Sequence, residues 1–402
     1  MKQSMLGVYG AWAASLEDDG PRPLSFRHPG WSEVDEWRST ARAALESLLC
    51  APPKVRARDI RVTARHRDGD LEIEEISWQL TFGPRTGAYF IKPRSPGRLP
   101  GLLAFHDHGG DKHFGKRKIA RSGGPVHPMA EKHQADYYGG MAWANEAARR
   151  GFAVLVHDVF PFESRRIISS DVPGHVVRRL MSPPEELHEP APEDAARADA
   201  GPDLDVPADE PEAAIASYNA FAAQHESIVA KSLFCAGLTW PGVALAEDRA
   251  ALDYLASRPD VDPDRLCCGG LSGGGLRTVF LAGLDDRIRA CLCAGFMSTW
   301  KDFLLAKSYA HTWMLYVPGL PRLMDFPDVL GLRAPLPSLV MATTEDPLFT
   351  LEETRRAAGM LEEIYRKAGA ADRFRFRVFA GPHKMDAPMQ AEAFTWLKER
   401  LA

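Results

Sequence analysis

Chemistry in this 402-residue chain is most readily placed at Gly270-Leu-Ser272-Gly-Gly274, which follows a short apolar run and precedes the helix-forming residues 276–284. That is a G-x-S-x-G nucleophile elbow in the strand–turn–helix setting it requires. Side chains two positions either side of the serine would collide in so tight a turn, hence glycine at 270 and 274. The turn lifts the Ser272 hydroxyl above a sheet, and the Gly273 N–H opens a helix whose positive end can face an oxyanion. A glycine-rich turn can also serve close packing or hold a phosphate, so the pattern needs partners. A serine hydroxyl is a weak nucleophile until an imidazole accepts its proton, and a carboxylate must fix that imidazole's tautomer. Both types follow in the order Ser, Asp, His: Asp346 just past the apolar run 336–342, and His383 in the loop after Phe374-Arg-Phe-Arg-Val-Phe379. Glu345 is adjacent to Asp346, which is the preferred orienting carboxylate.

The second half of an oxyanion hole is expected in the loop His106-Asp-His-Gly-Gly110-Asp-Lys-His113. Gly109 and Gly110 let backbone approach a substrate carbonyl, and an N–H near Gly110 would pair with that of Gly273. His106, His108 and His113, with Asp107 and Asp111, also have the composition of a metal site. Their spacing offers neither an H-E-x-x-H helix face nor cysteine pairs, so no metal and no cofactor is expected. The substrate pocket is expected to draw on His106, His108, Trp240, Trp300 and Trp313.

These side chains need a scaffold that carries strand ends to one edge. Residues 1–55 read as a helical extension, with one helix over 32–49 opened by a Ser32-x-x-Asp35 capping box. A hydrolase domain over 56–402 follows. Runs at 60–64 and 71–80 flank Asp68-Gly69 as a hairpin, with a third strand at 87–91. Apolar runs at 102–105, 152–156, 266–268, 288–293, 336–342 and 374–379 then alternate with helical stretches, which indicates a parallel sheet covered on both faces. Two insertions interrupt this rhythm. Residues 160–230 contain an acidic, Pro-rich segment, 182–212, that reads as a mobile surface excursion. Residues 297–332 carry dense aromatics that would pack a lid helix, line a pocket, or both.

Composition narrows the class. A net charge of −5 and no basic stripe exclude nucleic acid as the main partner. No apolar stretch is long enough to span a membrane. Cys50, Cys235, Cys267, Cys268, Cys291 and Cys293 do not form a disulfide framework, and four fall in expected buried strands. A cytoplasmic location is expected, with export left open by Ala11-Trp-Ala13.

His106-Asp-His-Gly-Gly with Gly115-Lys-Arg-Lys, Leu238-Thr-Trp-Pro-Gly, Asp253-Tyr-Leu-Ala-Ser-Arg-Pro-Asp-Val-Asp-Pro-Asp-Arg265 and Gly270-Leu-Ser-Gly-Gly together resemble one group. It is the acetylxylan-esterase-like, dienelactone-hydrolase-related branch of the α/β-hydrolase superfamily, over residues 60–400 apart from the acidic insertion. The resemblance implies a serine carboxylesterase with Ser272, Asp346 and His383 at the triad positions, and a small-molecule ester as partner. Dienelactone hydrolases proper carry a cysteine nucleophile, where this chain has Ser272. A lactonase or peptidase using the same triad, and a ligand-binding member without catalysis, are the alternatives.

Overall fold

The computed structural model describes residues 4–16, 20–95, 97–182, 202 and 204–402. Nine strands form one sheet: β1 (Arg58–Asp68), β2 (Leu71–Gln79), β3 (Thr86–Pro93), β4 (Leu99–Phe105), β5 (Ala153–His157), β6 (Val261–Leu271), β7 (Ile288–Ala294), β8 (Ser338–Thr343) and β9 (Phe374–Phe379). Their spatial order is β1-β2-β3-β5-β4-β6-β7-β8-β9. The pairings β1/β2, β2/β3 and β3/β5 are antiparallel, and every pairing from β5/β4 to β8/β9 is parallel. After β4 the chain steps outward to β5 and then crosses back to β6 on the other side of β4. The loops leaving β4 and β6 therefore part at a topological switch point, where open α/β sheets form their ligand crevice. Phe105 pairs with Gly270 at those two strand ends.

Alternation along each strand feeds two cores. Leu103, Phe105 and Cys268 face one side with Trp37, Leu252 and Leu361, while Leu102, Ala104 and Cys267 face the other with Trp143, Phe394 and Leu397. Cys267, Cys268, Cys291 and Cys293 are buried thiols on β6 and β7, whereas Cys50 and Cys235 are exposed. Burial pushes the thiols of Cys267, Cys268 and Cys293 upward from their ordinary range.

Three local expectations change. The first long helix spans Val34–Leu49 with Glu33 at its N-cap and no side-chain cap bond, so Ser32 caps nothing; Asp35 and Glu36 sit in the first turn instead, near its positive end. Its Trp37, Ala41, Leu45 and Leu49 recur at a helical period and are buried against the sheet's core. The segment 297–332 opens with a continuous but irregular helical run from Trp300 to Ala310, followed by separate short turns up to Gly331. Pro318, Pro321 and Pro327 lack the N–H that would continue a helix there. Most of the acidic segment, 183–201 and 203, lies outside the described residues. The described end of it is fastened: Asp205 accepts from the Ser169 N–H at 2.7 Å, and Glu210 takes two Arg117 bonds at 2.8 Å.

Candidate active site

Ser272 directly follows β6 with φ 56° and ψ −117°, and the helix Gly273–Leu284 begins at the next residue. A non-glycine residue in that conformation stores about 1–3 kcal/mol of strain. Flanking hydrogen bonds hold it there: Ser272 N–H donates to Ala294 O at 2.8 Å, and Leu276 N–H donates to Ser272 O at 2.9 Å. A Cβ placed on Gly270 would lie 2.9 Å from Gly274 Cα and 2.5 Å from Phe105 O. One placed on Gly274 would also lie 2.5 Å from Phe105 O. The glycines thus answer both the turn and the neighbouring β4.

Asp346 leaves β8 and His383 leaves β9, and Asp346 Oδ2 lies 2.6 Å from His383 Nδ1. Leu348 N–H donates to the other carboxylate oxygen at 2.9 Å. Glu345 is exposed, and its N–H donates to Gly381 O at 2.9 Å. Thr344 N–H to Phe379 O, 2.9 Å, ties the same two loops together. The imidazole lies against Gly295, where an added Cβ would come within 2.9 Å of His383 Cε1. Ser272 and His383 line one cavity.

The loop after β4 brings more than one amide to the cavity. Gly109 and Gly110 both line it, and Gly110 N–H donates to His108 Nδ1 at 3.1 Å. The amide that approaches the elbow is that of His108: its N lies 2.9 Å from a Cβ built on Gly273. Gly109 supports this bend, since a Cβ there would meet Asp107 Oδ1 at 2.4 Å. Asp107 is buried beneath the loop and accepts from His133 Nε2 at 3.0 Å and Tyr138 OH at 2.5 Å. Burial opposes its charge, but His133, Lys118 and these bonds hold the carboxyl well below its ordinary range.

No protein-family model matches the sequence. YtaP of Bacillus subtilis (strain 168), which bears the name of a hydrolase, is 25% identical over 368 residues, 90% of this chain and 100% of that one. A Bacteroides fragilis NCTC 9343 protein named as an acetyl xylan esterase superposes with a TM-score of 0.63 at 15% identity, over 93% of this chain and 82% of that one. A glucuronoyl esterase from Solibacter usitatus gives 0.56 at 13% identity, over 97% and 100%. This chain has the α/β-hydrolase fold.

In this fold the cavity measures about 280 Å³. Leu276, Phe296, Leu315 and Phe349 make an apolar side, and Tyr137, His311 and Thr312 a polar one. Of the five expected pocket residues only His108 lines it. His106 is buried behind the loop. Trp240 packs at the start of the helix Trp240–Ser257, its ring 5.8 Å from Phe160. Trp300 and Trp313 line a separate apolar groove with Met5 and Leu6. Trp300 also packs into the main core.

The roof of the cavity depends on a residue the sequence did not reveal. Glu226, on the helix Glu212–Cys235, accepts from Lys112 Nζ and meets His108 Nε2, both at 2.5 Å. Its other oxygen accepts from Thr312 Oγ1 at 2.8 Å and Trp313 N–H at 3.3 Å. Burial opposes ionisation, yet these donors hold the carboxyl well below its ordinary range. Because Gly110 donates to Nδ1, the His108 proton belongs on Nε2, toward Glu226. The three loop histidines therefore diverge: His106 turns to Asp107 O, His108 to Glu226 and His113 to Glu210. Such divergence is the opposite of a shared metal sphere.

Proposed function

We propose that this protein is a serine carboxylesterase that opens small or medium esters through an acyl-enzyme on Ser272. The observation that carries the reading is the 2.6 Å Asp346–His383 pair beside the elbow serine at one cavity. His383 Nε2 takes the Ser272 Oγ proton as Oγ attacks the ester carbon, and Asp346 holds the proton on Nδ1. The carbonyl oxygen becomes an oxyanion between the N–H groups of Gly273 and His108. Collapse breaks the ester C–O bond, and the alcohol leaves with the proton from His383. Water, deprotonated by the same imidazole, then releases the acid.

Cavity charge refines the substrate class. No lysine or arginine is among the described lining residues. A carboxylate-bearing acyl or alcohol group would lose its hydration with no cation there to pair with it, so neutral esters are favoured. The apolar side formed by Leu276, Phe296, Leu315 and Phe349 suits an acyl chain. Lactones and amides engage the same atoms, and parallel panels of the three bond types rank them.

Ser272→Ala is expected to lower kcat on a short p-nitrophenyl ester by about five orders of magnitude while leaving the melting transition in place. A fluorophosphonate should label the wild-type protein at Ser272 and nowhere else. Turnover retained in Ser272→Ala, or no adduct on folded wild type, would sink the assignment.

A further inference from the structure

Lys118 has no role in the proposed chemistry, yet its side chain is fully buried directly behind the β4 loop. It comes from the single turn Lys116–Lys118, its ammonium 4.8 Å from the Phe162 ring centroid. Nζ donates to Asp107 O at 3.1 Å and to His108 O at 2.7 Å. His106 Nδ1 lies 3.0 Å from the same Asp107 O. Its Nε2 is buried with no partner among the described residues, so the ring proton belongs on Nδ1, where an acceptor waits. Burial holds that imidazole well below its ordinary range, which keeps it neutral.

The Asp107 carbonyl and the His108 N–H are two ends of one peptide unit. The N–H end approaches Gly273 across the cavity, 2.9 Å from a Cβ built there. Donors on a carbonyl oxygen draw electron density from the amide nitrogen and make its N–H a stronger donor. A desolvated cation does this more than a neutral group. The second Lys118 bond, to His108 O, acts in the same way on the Gly109 N–H.

We propose that Lys118, aided by His106, is a positioning residue that polarises the 107–108 peptide from behind and so strengthens the His108 N–H as an oxyanion donor. This rests on the serine-esterase reading given above. Asp107 Oδ1, 4.0 Å from Nζ, supplies a counter-charge to the ammonium, and the bonds to two successive carbonyls also fix the loop's bend.

The test is kinetic and uses the full chain. Deleting an oxyanion donor costs about 10²–10³ in kcat; weakening one by removing its polarising cation should cost about tenfold. Lys118→Met is expected to lower kcat by that factor with KM within about twofold, because the polarisation matters only once the oxygen is charged. A trifluoromethyl ketone, which forms a tetrahedral oxyanion on Ser272, should lose affinity by about the same tenfold. Lys118→Arg should recover most of the loss in both measurements. His106→Phe keeps a ring but deletes the neutral donor, worth about half as much energy, so about threefold is expected. That variant is read on its own if Lys118→Met does not fold. Unchanged kcat and ketone affinity in a folded variant, or a loss confined to KM, would overturn the proposal. Fluorophosphonate labelling of wild type separates the two readings. A labelled, active wild type with an indifferent Lys118→Met removes only this inference, whereas an unlabelled wild type removes the esterase reading beneath it.

Discussion

Beneath the cavity, Ser272, Asp346 and His383 each stand one to four residues past a strand of one parallel sheet, and short backbone bonds tie the β8 and β9 loops together. Above it, His311, Thr312 and Leu315 stand on single turns with no ladder beneath them. Those turns are held by side-chain bonds: the buried Glu226, from a helix about 85 residues earlier in the chain, accepts from Thr312 Oγ1 and Trp313 N–H, and His311 Nε2 meets Leu348 O at 2.9 Å. The floor takes its precision from hydrogen-bonded backbone, and the roof takes its place from side chains, Glu226 foremost. Damage to the floor should therefore be kinetic, and damage to the roof should be thermodynamic.

The largest expected effect lies in the floor. Asp346→Asn keeps the shape but favours the wrong imidazole tautomer, and kcat should fall about 10⁴-fold with little change in melting temperature. Steady-state kinetics beside a thermal melt reads both; a large loss of stability there would erase the contrast. In the roof, Glu226→Ala leaves Lys112 buried without its carboxylate and should cost about 3 kcal/mol of stability. Urea unfolding gives that value, and KM should rise more than kcat falls. Thr312→Val removes both the bond to the carboxylate and the cap that accepts from Met314 N–H, and should cost about 2 kcal/mol by the same measurement. The smallest effect is a slope. Glu226 is held below its ordinary range, so its stabilisation is complete above about pH 4.5 and is lost as pH falls through that range toward its folded value. Melting temperature should thus drop less steeply in acid for Glu226→Gln than for wild type, and parallel curves would show that Glu226 does not carry the roof.

The same division explains what the sequence disclosed. Nine strands and the positions of Ser272, Asp346 and His383 at their ends were legible, since apolar runs and the elbow glycines are local signals. The loop after β4 was legible as a glycine turn beside the elbow, but not the bond from Gly110 N–H to the His108 ring or the close approach of the His108 amide to Gly273. Glycines report freedom of the backbone, not which N–H a neighbouring side chain engages. Trp240, Trp300 and Trp313 were misassigned to the pocket because aromatic residues pack wherever apolar surface is available. Glu226 left no local trace: its partners Lys112 and Thr312 lie 114 residues before it and 86 after it. Lys118 stood within the quoted Gly115-Lys-Arg-Lys motif, but no spacing rule assigns a lysine to the back of a peptide group.

The six thiols give this protein a built-in gauge of its own integrity. Cys50 and Cys235 are open to solvent, while Cys267, Cys268, Cys291 and Cys293 are sealed between the sheet and the helices on its two faces, on the strand that leads into the elbow and the one beside it. A maleimide should consume two equivalents per folded chain and the remaining four only when the helices leave β6 and β7. Since Ser272 directly follows β6, that second uptake times the loss of the elbow's platform under any condition that threatens it.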